Sequence, residues 1–424
     1  MNLPNPLLFW KNPRISAGAL AFALGCASVL AQNAFIVSNL VSDLPGLAAQ
    51  TDTNLVNPWG IATSASSPFW LSDNHSGLSS LYVNDGTPQA LLVSVPGPGG
   101  SGVGAPTGII FNSTTSFQMA SGGPSAPAKF IFATEDGTIA AWSAGASAKI
   151  VVDQSASGAV YKGLATGSWG GQNYLYAANF HAGTVDVFDG AFHPVAWPGT
   201  FSDPAIPAGF APFNVQNFGG ILYVTYAKQD ADAHDDVSGP GNGFIDIYTQ
   251  GGGFVKRFAS NGVLNSPWGL AIAPSAFGEF GGALLVGNFG DGNIHAFDVV
   301  SGAVRGALAT STGDPVQVSG LWGLIAGNGG RGGDTNKIYF AAGIPGDGAV
   351  EDHGLFGSIE AATPAAVAKT LYSQTNLVSD IPGLAAHTDT NLVNPWGIVS
   401  SATSPFWVSD NHSGYSSVYV TDGT

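Results

Sequence analysis

The chain is poor in charge and almost free of cysteine. Charged residues are 9% of it, against roughly a quarter in ordinary globular proteins. Lys and Arg number 12, Asp and Glu 28, and the net charge is −16. No basic patch is present to release counterions from a phosphate backbone, which argues against nucleic acid as a partner. The single cysteine, Cys26, leaves no internal disulfide framework. Outside the N-terminus no long stretch repeats its apolar residues every 3.6 positions, so a helical fold is not expected. Nucleophile motifs of the G-x-S-x-G kind are absent. No pair of histidines has the H-E-x-x-H spacing of a zinc site. The glycine-rich stretches 97–100 and 327–333 lack phosphate-loop or dinucleotide spacing and read as surface loops.

What the chain does have is glycine, 60 residues, with 45% hydrophobic and 11% aromatic residues. Gly, Ser, Thr, Asn and Pro crowd between short apolar runs, which is an all-β signature. At the N-terminus Lys11 and Arg14 precede the apolar run ISAGALAFALGCASVLA. That run is short for a transmembrane helix and ends in Val29-Leu30-Ala31, a signal-peptidase pattern. Residues 1–31 are therefore expected to be a signal peptide. The mature chain would then be exported, periplasmic or secreted, with no transmembrane span. The alternative is a lipoprotein anchored through Cys26, because Leu24-Gly25-Cys26 loosely fits a lipobox.

One stretch is written twice. Residues 39–87 and 376–424 align without a gap at an offset of 337, and 40 of 49 positions are identical. A repeat of this kind implies a modular architecture whose full cycle is that interval. Within it one module recurs about six times. It opens with Pro-x-Gly and an apolar run, as in Asn57-Pro58-Trp59-Gly60-Ile61-Ala62 and Ser266-Pro267-Trp268-Gly269-Leu270-Ala271. A second strand follows and ends near Asp or Asn, then a tight turn, then an alternating third strand, as in ALLVGNFGDGNIHAFD over 283–298. Three or four short strands in about 45–60 residues is the grammar of a β-propeller blade. The Gly of Pro-x-Gly is expected to let the innermost strands crowd the axis.

The pattern P-x-G-[IL]-A, L-Y-V-A-[DN], I-x-V-F-D resembles the NHL-type propellers over about residues 35–370. The stretches NLVSDLPGLAAQTDTNLVNPWGIA, YAKQDADAHDDVSGPGNGFIDIY and GLFGSIEAA are similar to an uncharacterised family of exported bacterial propellers. Those proteins often end in a PEP-CTERM sorting tail, which does not occur here. The resemblance implies a six-bladed propeller over 35–369 and export. Residues 370–424 are then a duplicated partial first blade, and 35–41 supply the outer strand of the sixth unit. The alternative is a seven-bladed ring closed by the N-terminal strand.

Turns between second and third strands share a face with the loops entering the first strands. That face gathers the channel-mouth candidates Asp73, His75, Asp136, His181, Asp291, Asp347, Asp352 and His353. As single residues, most of them are also ordinary turn formers. The acidic loop Asp230, Asp232, His234, Asp235, Asp236 offers hard oxygen ligands at loop spacing, which suits Ca²⁺. A solvated acidic loop is the plainer reading, since runs of charge are usually solvated. Trp59, Trp268 and Trp322 recur at one blade position, either to stack on a ligand or to plug space between blades. The functional expectation is a non-catalytic binding or scaffold module for an extracellular protein or glycan. The alternative is a metal-dependent hydrolase or lyase, with Asp73, His75, Asp136, His181 and Asp291 lining one cavity.

Overall fold

A computed structural model describes residues 34–119, 126–197, 199–346, 351–362 and 375–424. Residues 1–31, expected to be a signal peptide and including Cys26, fall outside them, as does Asp347. The chain divides into two compact units, Met1–Thr363 and Pro364–Thr424.

The first unit is a β-propeller. Among the described residues it holds six sheets, antiparallel but for the short edge strand Gln50–Thr51, apart from a two-stranded pair. Their innermost strands are Pro58–Ala62, Pro106–Phe111, Tyr161–Trp169, Phe210–Phe218, Pro267–Ile272 and Leu321–Ala326. Each inner strand touches the next, and the sixth touches the first, so the cycle closes on itself. We number the sheets one to six in this order. The β-branched and aromatic residues of the strands fill the gaps between adjoining sheets. Between sheets two and three, for example, Ile131, Ile139, Tyr161, Leu164 and Phe188 form one buried cluster. Alternation along each strand sends one set of side chains to the sheet before and the other to the sheet after.

Closure uses the N-terminal strand. Phe35–Ser42 pairs antiparallel with His353–Ala361, from Phe35 opposite Ala361 to Ser42 opposite Leu355. It is the outer strand of sheet six, in place of a strand that would finish a seventh sheet. Phe35 is buried, and its ring packs on Phe277 and Phe280 at centroid distances of 4.9 and 5.7 Å. His353 adds a polar tie, its Nδ1 lying 2.7 Å from Asp43 Oδ2.

The glycines after Pro-x explain how six strands fit around one axis. A Cβ on Gly60 would lie 2.5 Å from the Thr107 carbonyl oxygen of sheet two, and one on Gly323 would lie 2.7 Å from that of Trp59. Both neighbours are backbone and have little room to move. Sheet four carries Asn214 at this position instead, and its Nδ2 donates to the Trp268 carbonyl at 2.8 Å.

The second unit repeats the start of sheet one: Pro395–Val399, Phe406–Asp410 and Tyr415–Tyr419 form a three-stranded antiparallel sheet.

Two stability outcomes are expected. Phe35→Ala should cost about 3–5 kcal/mol, and Gly323→Ala about 1–3 kcal/mol. Truncation of residues 364–424 should leave the melting temperature of the ring nearly unchanged. Denaturant melts of the three variants check this, and a large loss on truncation would mean the ring needs the second unit.

Candidate functional site

Each inner strand slips by one residue against its partner at the same height. The slips fall between Pro58 and Ile61, Pro106 and Ile109, Tyr161 and Gly163, Pro212 and Asn214, Pro267 and Gly269, and Leu321 and Leu324. A bulge of this kind breaks the alternation and re-aims a side chain. The residues at the slips are Trp59, Thr107, Lys162, Phe213, Trp268 and Trp322.

Four of the bulky ones meet across the axis. Trp59 stacks on Trp322 with centroids 3.5 Å apart and stands edge-on to Trp268 at 6.4 Å. Phe213 reaches Trp322 at 5.7 Å. Sheets one and five are not neighbours, nor are four and six, so these contacts are made only through the centre. All four rings are buried. The tryptophans thus plug the channel near the face where the inner strands begin, with Phe180 and Phe289 completing the cluster.

Lys162 supplies the remaining bulky group. It is 1% exposed, and its ammonium lies 5.0 Å from the centre of the Trp59 ring. A buried ammonium is costly unless it is paired. Here Glu135 Oε1 is in close contact, and Asp235 Oδ1 accepts at 3.1 Å. Burial pulls the lysine pKa down, but the charges of Glu135 and Asp235 outweigh it and leave the pKa raised. Asn74 Nδ2 donates to the second oxygen of Glu135 at 2.8 Å, and His234 Nδ1 lies 3.0 Å from Asp235 Oδ1. Trp322 Nε1 donates to Glu351 Oε1 at 3.0 Å. Glu351 has φ +77°, a conformation uncommon for glutamate, and it carries its carboxyl down onto the plug.

The residues expected from the sequence are distributed unevenly. Among the described residues, the one group of three metal-ligating side chains is Glu135, His234 and Asp235, with ligand atoms within 4.8 Å of one another. Asp230 instead accepts the His234 backbone N–H inside its own turn, Asp232 is exposed, and Asp236 accepts from Ser238. Asp73 is buried in its own sheet, accepting the Ser80 N–H, and burial pushes its pKa up. Asp136 accepts the Ala105 N–H, and Asp291 accepts from Asn288 and Asn293 within its turn and from Asn265 of the loop before the inner strand of sheet five. His75, His181 and Asp352 are exposed, and His353 serves the closure. Lys162 was not singled out from the sequence. Its signal was available: a lysine at a blade position where other units carry Trp, Phe or Thr, in a chain with little charge to spend.

The opposite end of the channel is open. There the far ends of all six inner strands line a funnel of about 540 Å³. Its wall is Ile, Leu, Ala and Phe, with Thr63, Ser113, Thr166, Gln216 and Asn217 among them, and none of the described lining residues is charged.

This chain is 34% identical over 333 residues to Uncharacterized protein R648 of Acanthamoeba polyphaga mimivirus, a match covering 76% of this chain and 79% of that one. It belongs to that protein's family. Uncharacterized protein L690 of the same virus is 34% identical over 316 residues, covering 72% of this chain and 81% of its own length. No family model matches. Among solved structures, the soluble aldose sugar dehydrogenase of Escherichia coli superposes with a TM-score of 0.48 at 12% identity, covering 77% of this chain and 99% of that one.

Glu351 gives this family member a pH signature. Burial, and then the charge of Glu135, push its pKa to about 7, against the pull of Trp322, Asn57 and Lys162. Asn57 makes no well-formed side-chain hydrogen bond of its own, so its pull is the weaker kind. The folded protein therefore holds a proton that the unfolded chain releases. The stabilisation is complete below the ordinary value of 4.5 and is lost as pH rises through about 7. Glu351→Gln should raise stability at pH 8 by up to about 3 kcal/mol and change it little at pH 4.5. Paired melts at the two pH values measure the difference.

Proposed function

We propose that this protein is an exported, non-catalytic binding module, and that its ligand is a neutral glycan seated in the funnel. The observation that carries the reading is how the charges are used. On the plugged face the one ammonium of Lys162 is shared by two carboxylates, Glu135 and Asp235, so these groups hold one another rather than a substrate. On the open face the funnel offers amides and hydroxyls in a volume suited to a small ligand, while Ile109, Leu270 and Leu324 of its wall are largely buried in the cores between sheets. Phe111 and Phe218, both partly exposed there, are surfaces on which a sugar ring can stack. A protein loop of the same character is the other ligand in keeping with the site. Export rests on the leader composition of residues 1–31. Among the described residues no helix is long and apolar enough to cross a membrane.

Binding of the 32–424 chain to a glycan array, followed by calorimetry on the hits, tests this. Saturable binding without turnover is expected, and Phe111→Ala with Gln216→Ala should weaken it at least tenfold. Binding that ignores both changes but disappears in Asp235→Ala would move the site to the plugged face.

Calcium is a separate matter. An ion at Glu135, His234 and Asp235 would share their carboxylates with the Lys162 ammonium, which already does a cation's work. We therefore expect no melting shift with calcium in the parent protein. Lys162→Met frees the carboxylates and should produce one. A ligand held at about 1,000 times its Kd adds about 4 kcal/mol, so a shift in the parent would be easily read and would restore the calcium-loop reading.

The hydrolase or lyase alternative has one observation in its favour. Glu351, with its pKa near 7, is poised as a general acid or base. Turnover of any array hit, abolished by Glu351→Gln, would replace the binding reading.

A further inference from the structure

The two copies of the repeated sequence differ in what covers them. In sheet one, Ile61, Phe69 and Leu71 pack with Tyr339, Ala341 and Phe356 of sheet six. On the other face Trp70 and Leu81 pack with Phe130, Phe132 and Trp142 of sheet two. The blade is a wedge, apolar on both sides, made to stand between those two sheets.

The C-terminal unit carries the same wedge. Ile398, Phe406 and Val408 correspond to the first set, Trp407 and Val418 to the second. Where the copies differ at these positions, as in Leu71 and Val408 or Leu81 and Val418, the apolar character is kept. Charge is kept as well: each copy holds four aspartates and no lysine or arginine. Yet Ile398 is 68% exposed where Ile61 is 8%, and Trp396 is 77% exposed where Trp59 is 3%. One side of the unit opens into a hollow of about 470 Å³ bordered by Leu377, Trp396, Ile398, Phe406 and Tyr419. Apolar surface of this extent, flanked by the polar remainder of a small sheet, marks an interaction site.

The chain itself says what covers such a face. A wedge of this sequence is completed by sheets six and two of a ring, and each ring has one such slot. We propose that the C-terminal unit of one molecule enters the blade-one slot of a second copy of this chain and displaces that copy's residues 39–87. The displaced blade, with the same two faces, is then free to enter a further ring. Exchange of an identical element is a low-cost route to assembly. Here the incoming and outgoing blades share 40 of 49 residues, so contacts are replaced like for like. The exchanged fraction is then set by protein concentration.

Sedimentation equilibrium of the full chain over a wide concentration range tests the proposal through opposite effects at equivalent positions. The parent is expected to self-associate as concentration rises. Ile398→Asp spoils only the incoming wedge and should leave a monomer. Ile61→Ala loosens only the resident wedge, at a cost large enough to tighten self-association by roughly tenfold or more. A parent that stays monomeric throughout overturns the proposal. So does association that survives Ile398→Asp. If Ile61→Ala leaves association unchanged, the units pair with each other rather than with the ring, and the proposal again fails. Should Ile61→Ala not fold, Leu71→Ala loosens the same face and is read the same way.

Discussion

The ring depends on how closely six backbones approach one axis. At that radius little space is left between neighbouring inner strands: Gly60 and Gly323 sit where the next strand's carbonyl runs, and Asn214 fits only by bonding to that carbonyl. The crowding also forces the strands to slip. One extra residue in each inner strand takes up the misfit, and its side chain turns toward the centre. A local packing constraint, repeated six times, therefore produces a central cluster that belongs to no single sheet.

What fills that centre governs the rest. Trp59, Trp268, Trp322 and Phe213 supply area and close the channel at one end. Lys162 is the exception, a charge forced into the same layer by the same slip. Its burial obliges Glu135 and Asp235 to lie against it, and burial together with the charge of Glu135 holds up the proton on Glu351. The acidic loop of sheet four is thus tied to the turn of sheet two across the mouth. A buried ion pair is weak evidence of net stability, but it fixes which carboxylates are available at this face. The open funnel behind the plug, with its uncharged wall, is the complementary result: the two ends of one channel have opposite chemistry.

The duplicated unit shows that burial is a property of context rather than of sequence. Trp70 is buried against sheet two, while Trp407, its copy, is half exposed. A propeller blade cannot cover its own faces.

Much of the fold was legible in the residues. The spacing of Pro-x-Gly and the alternating strands that follow it marked the units, their order and the role of the glycines, because these depend on neighbours in the chain. That Phe35–Ser42 closes sheet six was one of two closures the sequence allowed, because its partner strand lies more than 300 positions away. The site was only half legible. His234 and Asp235 stood out as part of an acidic cluster, but their partners Glu135 and Lys162 lie 73 or more positions earlier than Asp235. Asp73, Asp136, Asp230 and Asp291 accept from nearby backbone or amide N–H groups instead, and no pattern along the chain distinguishes such a carboxylate from one that meets a lysine across a ring. The sequence by itself determined the repeating unit and its close approach to an axis. Only the tertiary structure decided which side chains share the centre, because that follows from closing the ring, which brings together residues from sheets that are not neighbours.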